Sequence, residues 1–432
     1  MEKQKLFTRN FTFLILGQIS SLLGNYTLKF ALSMYVLEQT GSASVFAALL
    51  AASMIPTILF SPFGGILADR ANRRNIMVAL DALSGISVLT AGVILPFGHD
   101  IFTIGALMIM LSIFAAFESP TVQACIPQML SGSLLVKGNA AVSQVQAVTS
   151  LITPFLGSVA YTVFGLLPVI WGTAVCFFLT AFLEYFIKLN YQKIECHMSI
   201  REIVREDFKA TAQFLRKEQP EILKLLLLAA SVSLFVAGTA VVGFPYLVRT
   251  VLGLSAEHYG AAESAMGIAA ILGSMFVGVM AQQLQLQWLA MVFVGFGLCL
   301  FPVGLAFIFP LGPVGRYTIL LLMFCVCQFG CSLFSTYSIT VIQGRTPEAL
   351  MGKVMSYVFT LSMCVQPVGQ VIYGALFDFF SDRPYFVFLP SGLLVCLIGA
   401  VSFPFFTRLE KQERGCYNDA CRYDIYGGEN DV

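Results

Sequence analysis

The sequence predicts an all-α membrane protein of twelve transmembrane helices, built as two pseudo-symmetric six-helix bundles. Three observations predict it. Hydrophobic residues make up 57% of the 432 and charged residues 11%, against about 45–50% and about 25% in an ordinary soluble domain. Apolar windows near the roughly 20 residues needed to cross a bilayer recur twelve times. A constant offset of 213 residues lays the second half on the first without a gap.

The windows cover 11–37, 44–68, 75–97, 102–124, 139–163, 167–188, 221–247, 259–281, 288–309, 316–340, 353–379 and 385–406. They are too long and continuous for barrel strands, which alternate over about 10 residues. The first follows a short basic N-terminus without a small-residue cleavage site, and further spans follow it, so it reads as a retained helix. Under the offset, Gly65 falls on Gly278, Ala68 on Ala281, Ser20 on Ser233, Ser42 on Ser255, Ser143 on Ser356 and Pro154 on Pro367. The expected bundles are therefore 1–188 and 221–406. Between them, 189–220 is expected to be a cytoplasmic linker. Its Ile200, Ile203, Val204, Phe208 and Phe214 predict an amphipathic helix on the membrane surface. Residues 407–432 read as a disordered cytoplasmic tail.

Charge sets the expected orientation. With the N-terminus in the cytoplasm, 21 Lys and Arg fall inside and 3 outside, and Lys29 lies within the first span. That bias predicts cytoplasmic termini and fits a plasma membrane such as a bacterial inner membrane. The net charge of +1, with basic residues scattered over loops, gives no footprint for nucleic acid. Of the eleven cysteines, eight sit in or beside apolar spans and read as small packing residues. Cys196, Cys416 and Cys421 fall in segments expected to be cytoplasmic, where thiols stay reduced. The chain shows no Gly-Lys-Ser/Thr phosphate loop, no His-rich metal set and no nucleophile elbow. No enzyme activity, metal or cofactor is therefore expected.

The stretch "GGILADRANRR", Gly64 to Arg74, packs four charges between two apolar spans. Gly64 and Gly65 allow close approach of a neighbouring helix. Asp69 ends the second helix, and Gly352 and Lys353 are expected to begin the eleventh. A carboxylate at 69 would suit the free N–H groups there. Arg70, Arg73 and Arg74 would hold Asp69 and meet anionic lipid. The same charges also fit a loop that only sets topology. The second half carries Gln282 and Gln283 in place of Asp69 and Arg70.

This stretch closely resembles the signature between the second and third helices of the major facilitator superfamily, G-x-L-a-D-R-x-x-R-R/K. "FLILGQISSLLGNYTLKFALSMYVLEQTGSAS", "IPQMLSGSLLVKGNAAVSQV" and "IQGRTPEALMGKVMSYV" are similar to the branch holding macrolide efflux proteins and the enterobactin exporter. The resemblance covers nearly all twelve spans. It implies a monomeric secondary transporter in the lipid bilayer, with Asp69 latching the cytoplasmic side shut. Pro154 and Gly157 resemble part of the antiporter signature of the fifth helix, but Thr149, Thr153 and Ser158 replace its other glycines.

Charge inside a span marks function. Lys29 shares roughly one helix face with Ser21, Asn25 and Ser33, with Gln18 nearby. That face is expected to line a cavity where Lys29 receives an anionic substrate group, or else Lys29 snorkels to the surface. Glu118 is the leading proton-carrying candidate, and Glu263 a lesser one. By helix rise, Lys29 and Glu118 sit at different depths. Asp81 is expected to bond to the arginine knot. Asn139, Ser143, Gln146, Ser150 and Thr153 stripe the fifth helix; Ser356, Thr360, Met363, Pro367 and Gln370 stripe the eleventh. With Gly157 and Gly369, these stripes are expected to suit close helix packing across the interface between the two halves. The resulting expectation is proton-coupled export of an amphipathic small molecule. Nutrient import, or a non-transporting sensor, is the alternative.

Overall fold

The structure, a computed structural model, describes residues 6–98, 100–189, 219–280 and 283–426. For Pro62, Asp69, Ser133, Glu348, Ala349, Gly352, Lys353 and 412–426 it describes the backbone alone. The expected amphipathic linker helix, over 190–218, lies outside the described residues, as do 427–432.

The described residues form twelve long helices: α1 (Arg9–Thr40), α2 (Ala43–Arg70), α3 (Arg73–Ile94), α4 (Asp100–Met129), α5 (Ser133–Phe164), α6 (Leu166–Tyr185), α7 (Pro220–Val251), α8 (Ala256–Met280), α9 (Gln287–Ile308), α10 (Pro313–Arg345), α11 (Glu348–Phe379) and α12 (Tyr385–Tyr426). Eleven are long and apolar enough to cross a membrane. The exception is α1, whose apolar run is diluted by Gln18, Ser20, Ser21, Asn25, Thr27 and Lys29. This is the pattern expected of a helix with one cavity-facing polar side. The chain is a multi-pass membrane protein.

Helix ends follow local chemistry. Thr8, Ser42 and Asn72 cap α1, α2 and α3, each accepting a backbone N–H from three residues on. Gly41 closes α1 in the left-handed region at φ 60°, where a side chain is disfavoured. The helices outrun the apolar windows. Most plainly, α12 continues to Tyr426, past Phe406, where the sequence reading ends the span and begins a tail. Its Leu409, Glu410 and Lys411 are good helix formers, and Leu409 is buried. Similarly, α11 begins at Glu348, not at Gly352. Its free N–H groups therefore lie at or before Met351, and Gly352 already sits inside the hydrogen-bond ladder.

By contacts the chain forms two compact units. The first is 1–210, 233–267 and 356–379; the second is 211–232, 268–355 and 380–432. The first holds α1–α6 with parts of α7, α8 and α11. Two ends of it are distinguished below: the basic end, carrying Arg9 and Arg70–Arg74, and the far end, carrying Thr40, Asp100, Phe164 and Phe379. In this unit α7 is π-helical over Ala237–Gly243 and Leu247–Val251. A Cβ at Gly238 would lie 2.1 Å from the Tyr373 ring, and one at Gly243 would lie 2.5 Å from the Phe377 ring. The two glycines thus admit two aromatic rings of α11. In the second unit, Arg345 of α10 pairs with Glu221 at the start of α7 at 2.7 Å. The eight cysteines read as packing residues are free thiols, with Cys125 and Cys327 buried.

Candidate functional site

Three groups of polar side chains stand out in the first unit, at successive depths. The middle one is a cavity of about 160 Å³ between α1, α2 and α4. Asn25, Lys29, Ser53 and Thr57 supply its polar wall; Leu28, Met108 and Leu111 supply its apolar wall. The Thr57 hydroxyl donates to the Ser112 carbonyl at 3.3 Å, tying α2 to α4 beside it. Lys29 also interacts electrostatically with Glu263 of α8. Tyr259, one turn before Glu263 on α8, stacks its ring on Phe30 at 5.4 Å. Of the predicted polar face of α1, Asn25 and Lys29 line the cavity and Gln18, Ser21 and Ser33 do not; Glu263 is the partner of Lys29 that sequence reasoning left unassigned.

Toward the basic end, α1, α3, α4 and α6 bring three carboxyls around one hydroxyl. Ser21 Oγ donates to Asp81 Oδ1 at 3.2 Å and is also within hydrogen-bonding range of Glu118. Asp81 and Glu184 are both fully buried, and their carboxyls lie within hydrogen-bonding range of each other. Yet Asp81 Oδ2 and both Glu184 oxygens lack a donor. Ser21 has a single O–H, so ionised carboxylates alone leave these atoms unsatisfied. A proton held on one of the acids would supply the missing donor. Glu184 packs opposite Gly17 of α1, where a Cβ would be in ordinary contact with Glu184 Cγ at 3.5 Å. Below the cluster, Phe11, Leu14, Met77, Cys125 and Ile126 form a buried apolar layer.

The arginine knot acts elsewhere than on Asp81. Arg73 donates through Nε to the Ala68 carbonyl and through Nη1 to the Ala124 carbonyl, each at 2.8 Å. Arg74 donates to the Tyr185 carbonyl and lies 4.6 Å over its ring. These cations sit at the carbonyl ends of α2, α4 and α6, where the helix dipole favours them. Asp81, expected to bond to the knot, instead faces Ser21, Glu118 and Glu184. Its position in α3, eight residues past Arg73, turns it toward α1 and α6. Arg70 is exposed. The side chain of Asp69 lies outside the described residues, so the cap expected from it does too. Only one of the paired glycines makes a close approach. A Cβ at Gly64 would lie 2.3 Å from the Ala116 carbonyl oxygen, whereas at Gly65 nothing lies within 4 Å.

The far end holds a third group that sequence reasoning missed. Glu38 at the end of α1 accepts from Tyr161 of α5 at 2.5 Å and pairs with Arg249 of α7. Asp378 of α11 accepts from Ser42 and from the first N–H groups of α2. Tyr35 donates to Asp100. The only signal in the sequence was acids placed at span ends, a pattern shared with ordinary loop charges.

Other predicted positions divide. Gly157 of α5 packs on α1, where a Cβ would meet Phe30 Cβ at 3.4 Å. The Pro154 carbonyl and Ser158 crowd Gly260 of α8, so α5 touches both. Gly369, two residues past Pro367, packs on α7: its Cβ would lie 2.3 Å from the Leu234 carbonyl oxygen. The α5 stripe thus packs on α1 and on α8, and the α11 stripe on α7 and, through Gln370 against Met54, on α2. Gln146 is exposed on α5 and joins none of the three groups among the described contacts.

Comparison with known proteins agrees with this architecture. The family model described as Major Facilitator Superfamily matches residues 14–369. The chain is 21% identical over 418 residues to macrolide efflux protein A of Streptococcus pyogenes, covering 95% of this chain and 99% of that one. Among solved structures, it resembles a bacterial homologue of the iron transporter ferroportin in an inward-facing state, with TM-score 0.71, 16% identity, and 91% and 98% coverage. It also resembles a nucleoside transporter, with TM-score 0.70, 11% identity, and 92% and 100% coverage. Twelve helices, an intramembrane cavity on α1 and a family match across most of the chain converge: the protein is a transporter belonging to the major facilitator superfamily.

Proposed function

We propose that this protein exports amphipathic small molecules, such as a macrolide-like drug or a siderophore, by alternating access and in exchange for protons. The carrying observation is the pairing of two sites within the helices of the first unit. One is a cavity with a cationic, hydroxyl-rich wall facing an apolar wall. The other is a carboxyl cluster on the same helix, α1, short of hydrogen-bond donors. The efflux-protein relative supports the direction. Lys29 and Asn25 would take the polar end of the substrate. At about 160 Å³ the pocket is smaller than the about 300–1,000 Å³ typical of drug-sized sites, so it would hold only part of such a molecule. Glu118, between the cavity and the buried Asp81–Glu184 pair, would pass the proton. The bundles 1–188 and 221–406 would rock about the site, with both termini cytoplasmic and the far end outside.

The test is accumulation of labelled macrolides, dyes and siderophores in cells lacking their own pumps, with and without the protein. Lower accumulation that recovers when the proton gradient is collapsed is the expected result. Higher accumulation would reverse the direction. No change for any compound, with the protein shown in the membrane, would favour a sensor. Lys29→Ala is expected to change the order of preference among transported compounds, most for anionic ones, without loss of protein from the membrane. An unchanged profile would remove Lys29 from the substrate site.

A further inference from the structure

The beginning of α2 and the end of α11 meet at the far end. Gln370 lies against Met54, with Nε2 to Sδ at 3.6 Å; Gly374 lies against Ala47, and Asp378 against Ala43 and Ser44. The residue numbers run in opposite directions, so the helices are antiparallel. At Gly374 there is no room for a side chain: a Cβ would lie 2.5 Å from Ala47 Cβ and 3.0 Å from the Ala43 carbonyl oxygen.

At the tip of this contact the Asp378 carboxylate takes three donors from α2. They are the Ser42 hydroxyl at 2.6 Å, the Ala43 N–H at 2.7 Å and the Ser44 N–H at 3.0 Å. Ser42 also accepts from the Val45 N–H at 3.2 Å. A side chain of the chain's second half thus completes the N-terminal cap of a helix in its first half. The bonds are charge-assisted and aligned with the helix dipole.

We propose that Asp378 is a releasable latch for the far end: it holds this end closed while it caps α2, and it must let go for this end to open. Sequence position supports a device rather than a fixed strut. Asp378 is the next-to-last residue of α11, and Asp69 is the next-to-last residue of α2. The same pair of helices therefore carries one acid near the C-terminal end of each. Alternating access requires the two ends to open in turn, and one acid per end lets a single pair of helices hold either state. The repeat does not duplicate the device. The 213-residue offset carries Ser42 to Ser255 and places Gly165 where Asp378 would have its equivalent. Ser255 instead bonds His258 within its own helix turn at 2.8 Å.

The proposal rests on alternating access but not on export, substrate or proton coupling. Its test therefore needs no substrate. Hydrogen–deuterium exchange is followed in the purified full chain and in Asp378→Asn. Exchange is expected to rise about tenfold over 42–50 and 370–379, the loss of charge assistance for one cap. It is expected to fall over 64–74, because opening the far end closes the basic end. Gly374→Val, which wedges the same ends apart without touching the carboxylate, should give the same two-ended pattern and shows that the method sees it. If Asp378→Asn does not fold, Ser42→Ala removes one of the three donors and is read in the same way, with a smaller change. Faster exchange confined to 42–50 would make Asp378 a cap and not a latch. No change at either end would overturn the proposal outright.

Discussion

Glu184→Gln is expected to leave the protein folded and in the membrane while cutting the proposed gradient-driven export by about tenfold or more, within the range of ordinary coupling free energies. The reasoning is one of donors. Asp81 Oδ2 and both Glu184 oxygens are buried without a donor, and Ser21 has one hydroxyl for two acids. A proton on one of the acids supplies one donor to the pair, and its departure leaves the facing acceptors unpaired. Glutamine has the size of glutamate and supplies a permanent N–H to Asp81. The pair then holds a donor without binding a proton, and has none to exchange. Fluorescent-substrate efflux from energised inverted vesicles measures it, with the same vesicles after collapse of the gradient as the baseline. Full gradient dependence in the variant would exclude Glu184 from the proton path. Glu118→Gln is expected to act in the same direction, since Glu118 shares the Ser21 donor.

The second large effect concerns a pair of glycines one residue apart. Gly64→Ala is expected to destabilise the protein by about 1–3 kcal/mol or more, the usual cost of overpacking, and Gly65→Ala to change it little. A methyl at Gly64 would sit 2.3 Å from the Ala116 carbonyl oxygen and 3.0 Å from Phe117 Cα. Both are backbone atoms of α4, so no side-chain rotation relieves the clash and α2 must move off α4. At Gly65 nothing lies within 4 Å. Thermal unfolding in one detergent, with all three proteins side by side, decides it. Equal melting of the two variants would contradict the α2–α4 contact.

That contrast shows how far the sequence reaches. Twelve apolar windows and the polar face of α1 were readable from composition and spacing. Each is a local property, set within a turn or two of chain. Glu118 and Lys29 were also readable as functional candidates, because charge in an apolar span is costly wherever the span packs. Glu184 was not, because four residues before Lys188 it reads as an ordinary span-end charge. Nor was Asp378, for the same reason.

The sequence by itself determined that the chain crosses a membrane many times, where its helices lie, and which superfamily it resembles. Only the tertiary structure decided partners. It set Glu263 beside Lys29, Glu184 beside Asp81 in place of the arginine knot, Asp378 on the start of α2, and Gly64 rather than Gly65 against α4. The physical reason is the solvent. A helix in water shows its buried face by the contrast between apolar and polar residues. A helix in lipid is apolar on both the face that meets lipid and the face that meets protein. Spacing along one strand of sequence then fixes which residues share a face, but not which neighbour that face meets.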